Sequence, residues 1–168
     1  MKDKKNSLTN TINIMFPAMK YGLENGLKQC TKFFIYDLAN PIFYDFSPRF
    51  FVSENVKKSS KFQEILKMSE YSKAKVYKTL NIGLMKVHEE HMTPNGQLQK
   101  KLLEFDESKN FELFIRNNYA IAIITKEENQ RLDKGGFRSK RTNLEDALIA
   151  YRHVGINIYE FKFKSNYE

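Results

Sequence analysis

The sequence predicts a single α+β domain that is rich in helices and has a small sheet. The chain has 168 residues, of which 41% are hydrophobic and 29% charged, and these values suit one compact domain with its own core. Apolar residues recur at helical spacing in several stretches, whereas residues 119–125 (YAIAIIT) form an unbroken apolar run of strand length. No internal repeat, low-complexity segment or evident linker interrupts these patterns, so we expect residues 1–168 to form one domain.

The first half of the chain is predicted to be mainly helical. Apolar residues at helical spacing predict a helix over residues 12–27, with Pro17 marking a break or the start of the helix. The same spacing predicts a second helix over residues 61–80. Residues 1–10 are polar, and we expect them to be frayed.

An aromatic block, KFFIYDLANPIFYDFSPRFFV, covers residues 32–52. Asn40-Pro41 and Ser47-Pro48 are turn signals, and they predict three short extended pieces within the block. Clusters of Phe and Tyr can stack on nucleic-acid bases, but Phe is more often found in the protein interior. The core interpretation is therefore favoured for this block.

The second half is predicted to alternate between helices and strands. Helical stripes cover residues 98–105 and 111–115, on either side of an acidic break. The strand at residues 119–125 leads directly into a helix over residues 126–133. Thr125 and Glu128 have the spacing of a capping box, which predicts where that helix begins.

The last part of the chain is predicted to form a capped helix followed by a strand. Thr142 with Glu145 predicts a second capping box, opening a helix that Gly155 ends. Residues 156–164 are predicted to form the final strand.

Charge and cysteine content limit the classes of partner and compartment. The net charge of +8 and the pI of about 9.4 favour polyanionic partners, although an ordinary protein rich in lysine has the same balance. Cys30 is the single cysteine, which excludes an intramolecular disulfide and a cysteine-based zinc site and favours a reducing compartment. No apolar run reaches the length of a membrane span and no secretory signal is evident, so we expect a cytoplasmic protein with no membrane partner.

A glutamate-histidine pair and a later asparagine are the candidates for chemistry. Metal-dependent cleavage of a phosphodiester needs a hard cation, a base for the attacking water and groups that hold both. Glu90 offers a carboxylate to a magnesium-type ion, and a neutral His91 can accept a proton from water. Asn129, in the first turn of the predicted helix, can reach the same metal. Asn117 or Asn118, just before the strand, can orient the histidine-bearing loop through side-chain hydrogen bonds.

The residues from Glu90 to Pro94 (EHMTP) resemble the acid-His-x-x-Pro signature of the HNH endonucleases, which belong to the His-Me finger group. Residues 118–132 (NYAIAIITKEENQRL) are similar to the second half of that motif, in which an Asn precedes a hydrophobic strand and a short helix carries the last metal ligand. The resemblance implies a ββα-metal-like element over residues 82–133 and cleavage of DNA, occasionally RNA, with one divalent ion such as Mg or Mn.

The same resemblance implies a role for each matching residue. Glu90 and Asn129 would bind the metal, and His91 would be the general base. The central Asn of the family falls on Asn118, with Asn117 as the alternative one residue earlier.

Other interpretations of these residues stay open. His88 and His91 are three residues apart rather than four, so a HExxH zinc helix does not fit. If residues 81–91 were helical, the two histidines would share a face, but no third ligand is evident. The plainest alternative makes HEEH a solvated charged loop and residues 119–132 an ordinary strand and helix of the core.

A basic loop follows the second half of the motif. Arg138, Lys140 and Arg141 come after the Gly135-Gly136 turn and are candidates for binding nucleic-acid phosphates. A basic surface loop without a ligand explains them equally well.

The leading hypothesis is therefore a metal-dependent, HNH-like endonuclease acting on DNA, of the restriction, phage or mobile-element kind. The first alternative is a non-catalytic nucleic-acid-binding protein that uses its basic surface. The second is a small phage or host-defence protein that binds another protein through its aromatic block. A homodimer is compatible with all three, and the sequence shows no dimer face.

Overall fold

The computed structural model describes residues 7–38, 46–69, 76, 78–80 and 87–163. Eight helices are described: α1 Leu8–Glu24, α2 Gln29–Leu38, α3 Glu54–Lys58, α4 Ser60–Leu66, α5 Asn95–Glu104, α6 Ser108–Asn118, α7 Lys126–Lys134 and α8 Leu144–His153. Four strands are described: β1 Arg49–Ser53, β2 Val87–His91, β3 Ala120–Thr125 and β4 Ile158–Phe161. The predicted class, α+β with many helices and a small sheet, is confirmed.

The four strands form one mixed sheet in the order β2-β3-β1-β4. β1 runs parallel to β3, with Phe50 beside Ile121, and antiparallel to β4, with Phe50 beside Phe161. β2 runs antiparallel to β3. All six residues of β3 are buried, which is why its sequence is an unbroken apolar run rather than an alternation.

The chain divides into two compact units, and each is assembled from three separate stretches. One unit consists of Met1–Pro48, Met92–Tyr119 and Ser139–Ala147. The other consists of Arg49–His91, Ala120–Arg138 and Leu148–Glu168. The first therefore contains α1, α2, α5 and α6, and we call it the helical unit. The second contains all four strands with α3, α4 and α7, and we call it the sheet unit.

The core of the sheet unit covers one face of β1, β3 and β4. Val52 and Ile123 are neighbours in the register, so their side chains lie on the same face. They belong to a cluster of buried residues that also contains Val56, Phe62, Ile65, Val76, Leu80 and Phe161. Fully burying each Val, Ile or Phe side chain contributes about 1.5–3 kcal/mol. This cluster therefore stabilises the packing of α3 and α4 on the sheet.

The helical unit is organised by α1, which packs against α2, α5 and α6. Its buried residues are Leu8, Ile12, Phe16, Met19 and Gly22, and the Phe16 and Phe111 rings lie 6.0 Å apart. Pro17 lies inside α1, so the prediction that it breaks or starts the helix is wrong. Ser7 caps the helix ten residues earlier by accepting a hydrogen bond from the Asn10 amide, and the exposed Pro17 removes only one bond from a helix held by its core face.

The aromatic block was only partly predicted. Its first piece is the helix α2 instead of an extended segment, because the buried Phe34, Ile35 and Leu38 have helical spacing. Its last piece is the strand β1, as expected. The Asn40-Pro41 turn signal falls outside the described residues, as does the side chain of Cys30. The described aromatic residues Phe34, Phe46, Phe50 and Phe51 are all buried, which agrees with the core interpretation.

Two helix boundaries also differ from the predictions. The helix expected over residues 61–80 is interrupted after α4, where Lys67–Ser69 form a turn and bends; residues 70–75 and 77 fall outside the described chain. The cap of α8 is shifted by one residue from the predicted Thr142 box. The Asn143 side chain accepts a 2.8 Å hydrogen bond from the Asp146 amide, and Asp146 in turn accepts from Thr142. None of the described helices is long and apolar enough to cross a membrane.

Candidate functional site

The HEEH segment is an edge strand of the sheet. It forms β2, in which Glu90 pairs with Ala122 and His91 with Ile121 of β3. The interpretations of this segment as a charged loop or as a helix are therefore wrong. His91 is the last residue of β2, and the chain bends at Met92 and Thr93 directly after it.

Alternation along β2 decides which side chains share a face. Consecutive residues of a strand point to opposite faces, so His88 and Glu90 lie on one face and Glu89 and His91 on the other. His88 Nε2 and Glu90 Oε2 are 3.0 Å apart. The Glu90 side chain is 16% exposed and that of His88 is 43% exposed, so the pair is half-buried at the sheet edge. The structure thus brings Glu90 together with His88, a residue that the sequence reasoning had set aside.

Asn129 lies in the first turn of α7, and the local sequence explains why α7 begins where it does. Thr125 Oγ1 accepts from the Glu128 amide at 3.2 Å, and Glu128 Oε2 accepts from the Thr125 amide at 2.8 Å. The predicted capping box is therefore confirmed. The Asn129 side chain is half-buried, and α7 packs against both β2 and β3. Two antiparallel strands and a helix that packs on them thus form a ββα arrangement. In the sequence, α5 and α6 lie between the two strands.

Glu128 has a second contact that the sequence did not indicate. Its Oε1 accepts a 2.9 Å hydrogen bond from Asn55 Nδ2 in α3. The parallel strands β1 and β3 end at the same edge of the sheet, where α3 and α7 begin. Asn55 is two residues past Ser53, the cap of α3. Only the parallel pairing, which no local pattern reveals, places it beside Glu128.

Asn118 is held by hydrogen bonds inside the helical unit. Its Nδ2 donates to the Phe114 carbonyl at 3.0 Å, and its Oδ1 accepts from the Leu144 amide at 3.3 Å. Its backbone carbonyl accepts from Thr93 Oγ1 at 3.2 Å. The hydrogen bond that the structure describes between Asn118 and the residues after His91 is therefore made by the Asn118 backbone carbonyl and not by its side chain. Asn117 is exposed.

The three basic candidates differ in exposure. Arg138 and Lys140 are exposed, as a phosphate contact requires. Arg141 is 1% exposed and is the largest of the fully buried side chains. Its guanidinium does not reach the surface of the structure, so of the three predicted phosphate ligands only Arg138 and Lys140 remain candidates.

Two carboxylates elsewhere on the sheet unit, Glu160 and Glu54, have lowered pKa values. A hydrogen bond from Arg49 holds the pKa of the Glu160 carboxyl below its usual range, against a smaller opposing effect of burial. Hydrogen bonds from Lys58 and Asn157 lower the pKa of Glu54 in the same way. Each of these carboxylates therefore belongs to an ion pair on the surface formed by β1, α3 and β4.

The donor chemistry of the candidate site fits a hard cation. Glu90 and Asn129 offer oxygen donors, which Mg²⁺ prefers, and Mg²⁺ commonly takes only one or two carboxylates and keeps several waters. Among the residues that the structure describes, no three His, Cys, Asp or Glu side chains are grouped as metal ligands.

Comparisons with protein-family models, with curated proteins and with solved structures find no match for this chain.

Proposed function

We propose that this chain is a metal-dependent endonuclease of the HNH type that hydrolyses phosphodiester bonds in DNA. The observation that carries the proposal is the β2-β3-α7 arrangement, in which the strand with Glu90 and His91 pairs antiparallel with β3 and the helix with Asn129 packs on both strands. The order of these elements and the positions of the three residues within them agree with the HNH resemblance of the sequence.

In this proposal Glu90 and Asn129 hold one Mg²⁺ or Mn²⁺ ion. When bound, the ion would neutralise charge on the phosphate and on the departing oxygen. The 3.0 Å contact between His88 and Glu90 supports a positioning role for His88, because partners of a ligating carboxylate fix its orientation and tune metal affinity.

His91 is proposed as the general base that accepts the proton of the attacking water. Its place as the last residue of β2 supports this role, since a side chain at the end of a strand is less confined by the neighbouring strand than one at its centre. Because consecutive residues of a strand point to opposite faces, the side chains of His91 and Glu90 lie on opposite faces of β2. The base and the metal ligand would therefore act from different sides of the strand end.

The test compares the three histidines of the chain on supercoiled plasmid DNA with Mg²⁺ or Mn²⁺. We expect His91→Ala to lower the cutting rate by about 100-fold or more, because general-base catalysis contributes 10²–10⁴-fold. We expect His88→Ala to need roughly 10-fold more metal for half-maximal cutting but to approach the wild-type rate at saturation. His153→Ala, at the exposed end of α8, is the matched control and should cut normally.

Circular dichroism and thermal melting establish that each variant is folded. Equal cutting by wild type and His91→Ala would refute the base assignment, and a lack of metal-dependent cutting by the wild type on DNA and RNA would refute the nuclease proposal.

A second candidate function, non-catalytic nucleic-acid binding, is favoured by the exposure of Arg138 and Lys140 and by the net charge of +8. It predicts that DNA retention falls steeply with salt and is unchanged by His91→Ala. Both candidates predict that His91→Ala still retains DNA. They are separated by cutting: the endonuclease requires that the wild type cuts DNA and that His91→Ala does not, whereas the binding protein requires that neither cuts.

A further inference from the structure

Most of the excess positive charge of the chain belongs to the sheet unit. Of the 28 Lys and Arg residues, 16 lie in its three stretches, together with 10 of the 20 Asp and Glu residues, so this unit carries +6 of the net charge of +8. The helical unit carries the other +2. A polyanion is attracted to the part of a protein with the larger positive charge, because the potentials of the single charges add. We therefore searched the sheet unit for a phosphate contact.

Lys57 of α3 is held over an aromatic ring of this unit. Its Nζ lies 4.1 Å from the centroid of the Tyr159 ring, which is the geometry of a cation–π contact. The sheet register explains the contact. Tyr159 of β4 pairs with Val52 of β1, so its side chain lies on the face of the sheet that α3 covers with Val56. Tyr159 is 40% exposed and Lys57 is exposed, so the pair lies on the surface.

An aromatic ring positions an ammonium group without neutralising it. The ring attracts the cation through its quadrupole but has no net charge, so the lysine keeps its charge and N–H donors for a ligand. The adjacent Lys58 differs, because it forms a 2.6 Å ion pair with Glu54. Within the described chain, no carboxylate forms an ion pair with Lys57. Lys57 is thus a positioned cation whose charge is available to an anion.

The helix that carries Lys57 also contacts the helix of the candidate site. Asn55, two residues before Lys57, donates to Glu128 at 2.9 Å, and Asn129 follows Glu128 directly. Both α3 and α7 begin at the edge of the sheet where the parallel strands β1 and β3 end. A single hydrogen bond therefore connects the helix of Lys57 to the first turn that carries the candidate metal ligand.

We propose that Lys57 binds a backbone phosphate of DNA beside the candidate site, and that Tyr159 holds the Lys57 ammonium in position. The choice of DNA rests on the proposed function, whereas the choice of residues rests on the geometry of α3 and β4. An anionic lipid surface fits this site less well. Helices that lie on membranes insert apolar side chains, but the exposed residues of α3 are Asn55, Lys57 and Lys58.

Fluorescence anisotropy of the full chain with a labelled DNA duplex, in EDTA to prevent cutting, measures this contact independently of catalysis. Lys57→Ala should weaken binding and reduce the slope of log affinity against log salt by about one unit, because each neutralised phosphate contributes about 0.9. The loss should be equal on two duplexes of unrelated sequence, since phosphate contacts carry no sequence information. Lys109→Ala is the matched control: Lys109 is exposed on α6 in the helical unit, so removing the same charge there should leave the slope unchanged.

Variants of Tyr159 test how the ammonium is held. Tyr159→Phe keeps the ring and should bind like the wild type, whereas Tyr159→Ala should weaken binding by roughly two- to fivefold, the size of an exposed cation–π contact. The double variant Lys57→Ala/Tyr159→Ala should bind no more weakly than Lys57→Ala, because the ring acts only through the ammonium. Additive losses, or equal losses in Tyr159→Phe and Tyr159→Ala, would contradict this role of the ring.

The assay also separates this contact from the nuclease proposal. A wild type that does not bind the duplex, or a Lys57→Ala variant with the slope of Lys109→Ala, would overturn the contact. Binding of the wild type to vesicles of anionic phospholipid that Lys57→Ala removes, with DNA binding unchanged, would overturn it in favour of a membrane. A wild type that binds DNA through Lys57 but never cuts it would refute the nuclease and establish the contact.

Discussion

Asn55 in α3 donates its side-chain amide to Glu128 in α7 across 2.9 Å, joining the first turns of the two helices that follow the parallel strands. The other carboxylate oxygen of Glu128 accepts from the Thr125 amide at 2.8 Å. Because Glu128 is only 2% exposed and both of its oxygens are hydrogen-bonded, this residue is a structural link of the sheet unit next to the candidate site. A motif that the sequence showed as a helix cap thus also connects two helices.

Removing this carboxylate should destabilise the protein. We expect Glu128→Ala to lower the free energy of unfolding by about 2–3 kcal/mol, since it removes a cap and leaves the Thr125 amide without its side-chain acceptor. The neighbouring Glu127→Ala is the control, because Glu127 is exposed in the same helical turn and should cost well under about 1 kcal/mol. Urea denaturation measures both, and equal losses would contradict the structural role of Glu128.

The two adjacent asparagines should differ in the same assay. Asn118→Ala removes the bonds to the Phe114 carbonyl and the Leu144 amide, so we expect a loss of about 1–2 kcal/mol. Asn117→Ala changes an exposed side chain and should stay within about 0.5 kcal/mol of the wild type. A nuclease assay on Asn118→Ala is interpretable only at a temperature where that variant is folded. Greater destabilisation by Asn117→Ala would contradict the described hydrogen bonding.

Lys140 and Arg141 should separate binding from folding. Lys140→Ala is expected to leave the unfolding curve unchanged and to reduce the salt dependence of DNA retention by about one unit of log–log slope. Arg141→Ala truncates a buried side chain and should lower the free energy of unfolding by about 2 kcal/mol or more. Filter binding at several salt concentrations, together with urea denaturation, measures the two effects. If Arg141→Ala were as stable as the wild type, its burial would be of no consequence for folding.

The Arg49-Glu160 pair predicts a dependence of stability on pH. Its two hydrogen bonds, at 3.0 and 2.9 Å, lower the pKa of Glu160 in the folded state. The stabilisation is therefore present above the unfolded pKa of a glutamate, about 4.3, and is lost as pH falls through the lower folded value. Both side chains are nearly half exposed, so solvent screening limits the contribution to at most about 1 kcal/mol.

The measurement compares the wild type with Glu160→Gln by urea denaturation from neutral to acidic pH. The stability difference should be largest near neutral pH and should shrink below the ordinary pKa of glutamate. Added salt at neutral pH should reduce the same difference. A difference that grows as the pH falls would have the wrong sign for this pair.

The parts of the fold that local sequence determines were predictable. The β3-α7 unit follows from six consecutive residues of strand type and a capping box, and the structure has both. α2 was missed because Asn40-Pro41 and the β-type aromatic residues favoured extended pieces, whereas burial of Phe34, Ile35 and Leu38 on one face requires a helix.

The pairing of distant segments was not predictable from local pattern. The parallel neighbours β1 and β3 bring Asn55 to Glu128. Because residues 88–91 belong to a strand of the sheet, alternation along that strand puts His88 rather than His91 on the same face as Glu90. The division into two units was hidden for the same reason: the chain passes between them at positions such as His91-Met92, with no Gly- or Pro-rich linker to mark the change. The metal and the DNA substrate stay predictions.

The sheet order has a consequence for how the chain folds. Arg49 and Glu160, which bond across β1 and β4, are 111 positions apart in sequence, and β1 must also find β3 on its other side, with Arg49 beside Ala120. Closing such long loops costs entropy before any contact repays it, so we expect this sheet to form slowly, on a timescale of milliseconds to seconds rather than microseconds. Until β4 docks, the apolar edge of β1 is open to other chains, so aggregation during refolding should increase with protein concentration.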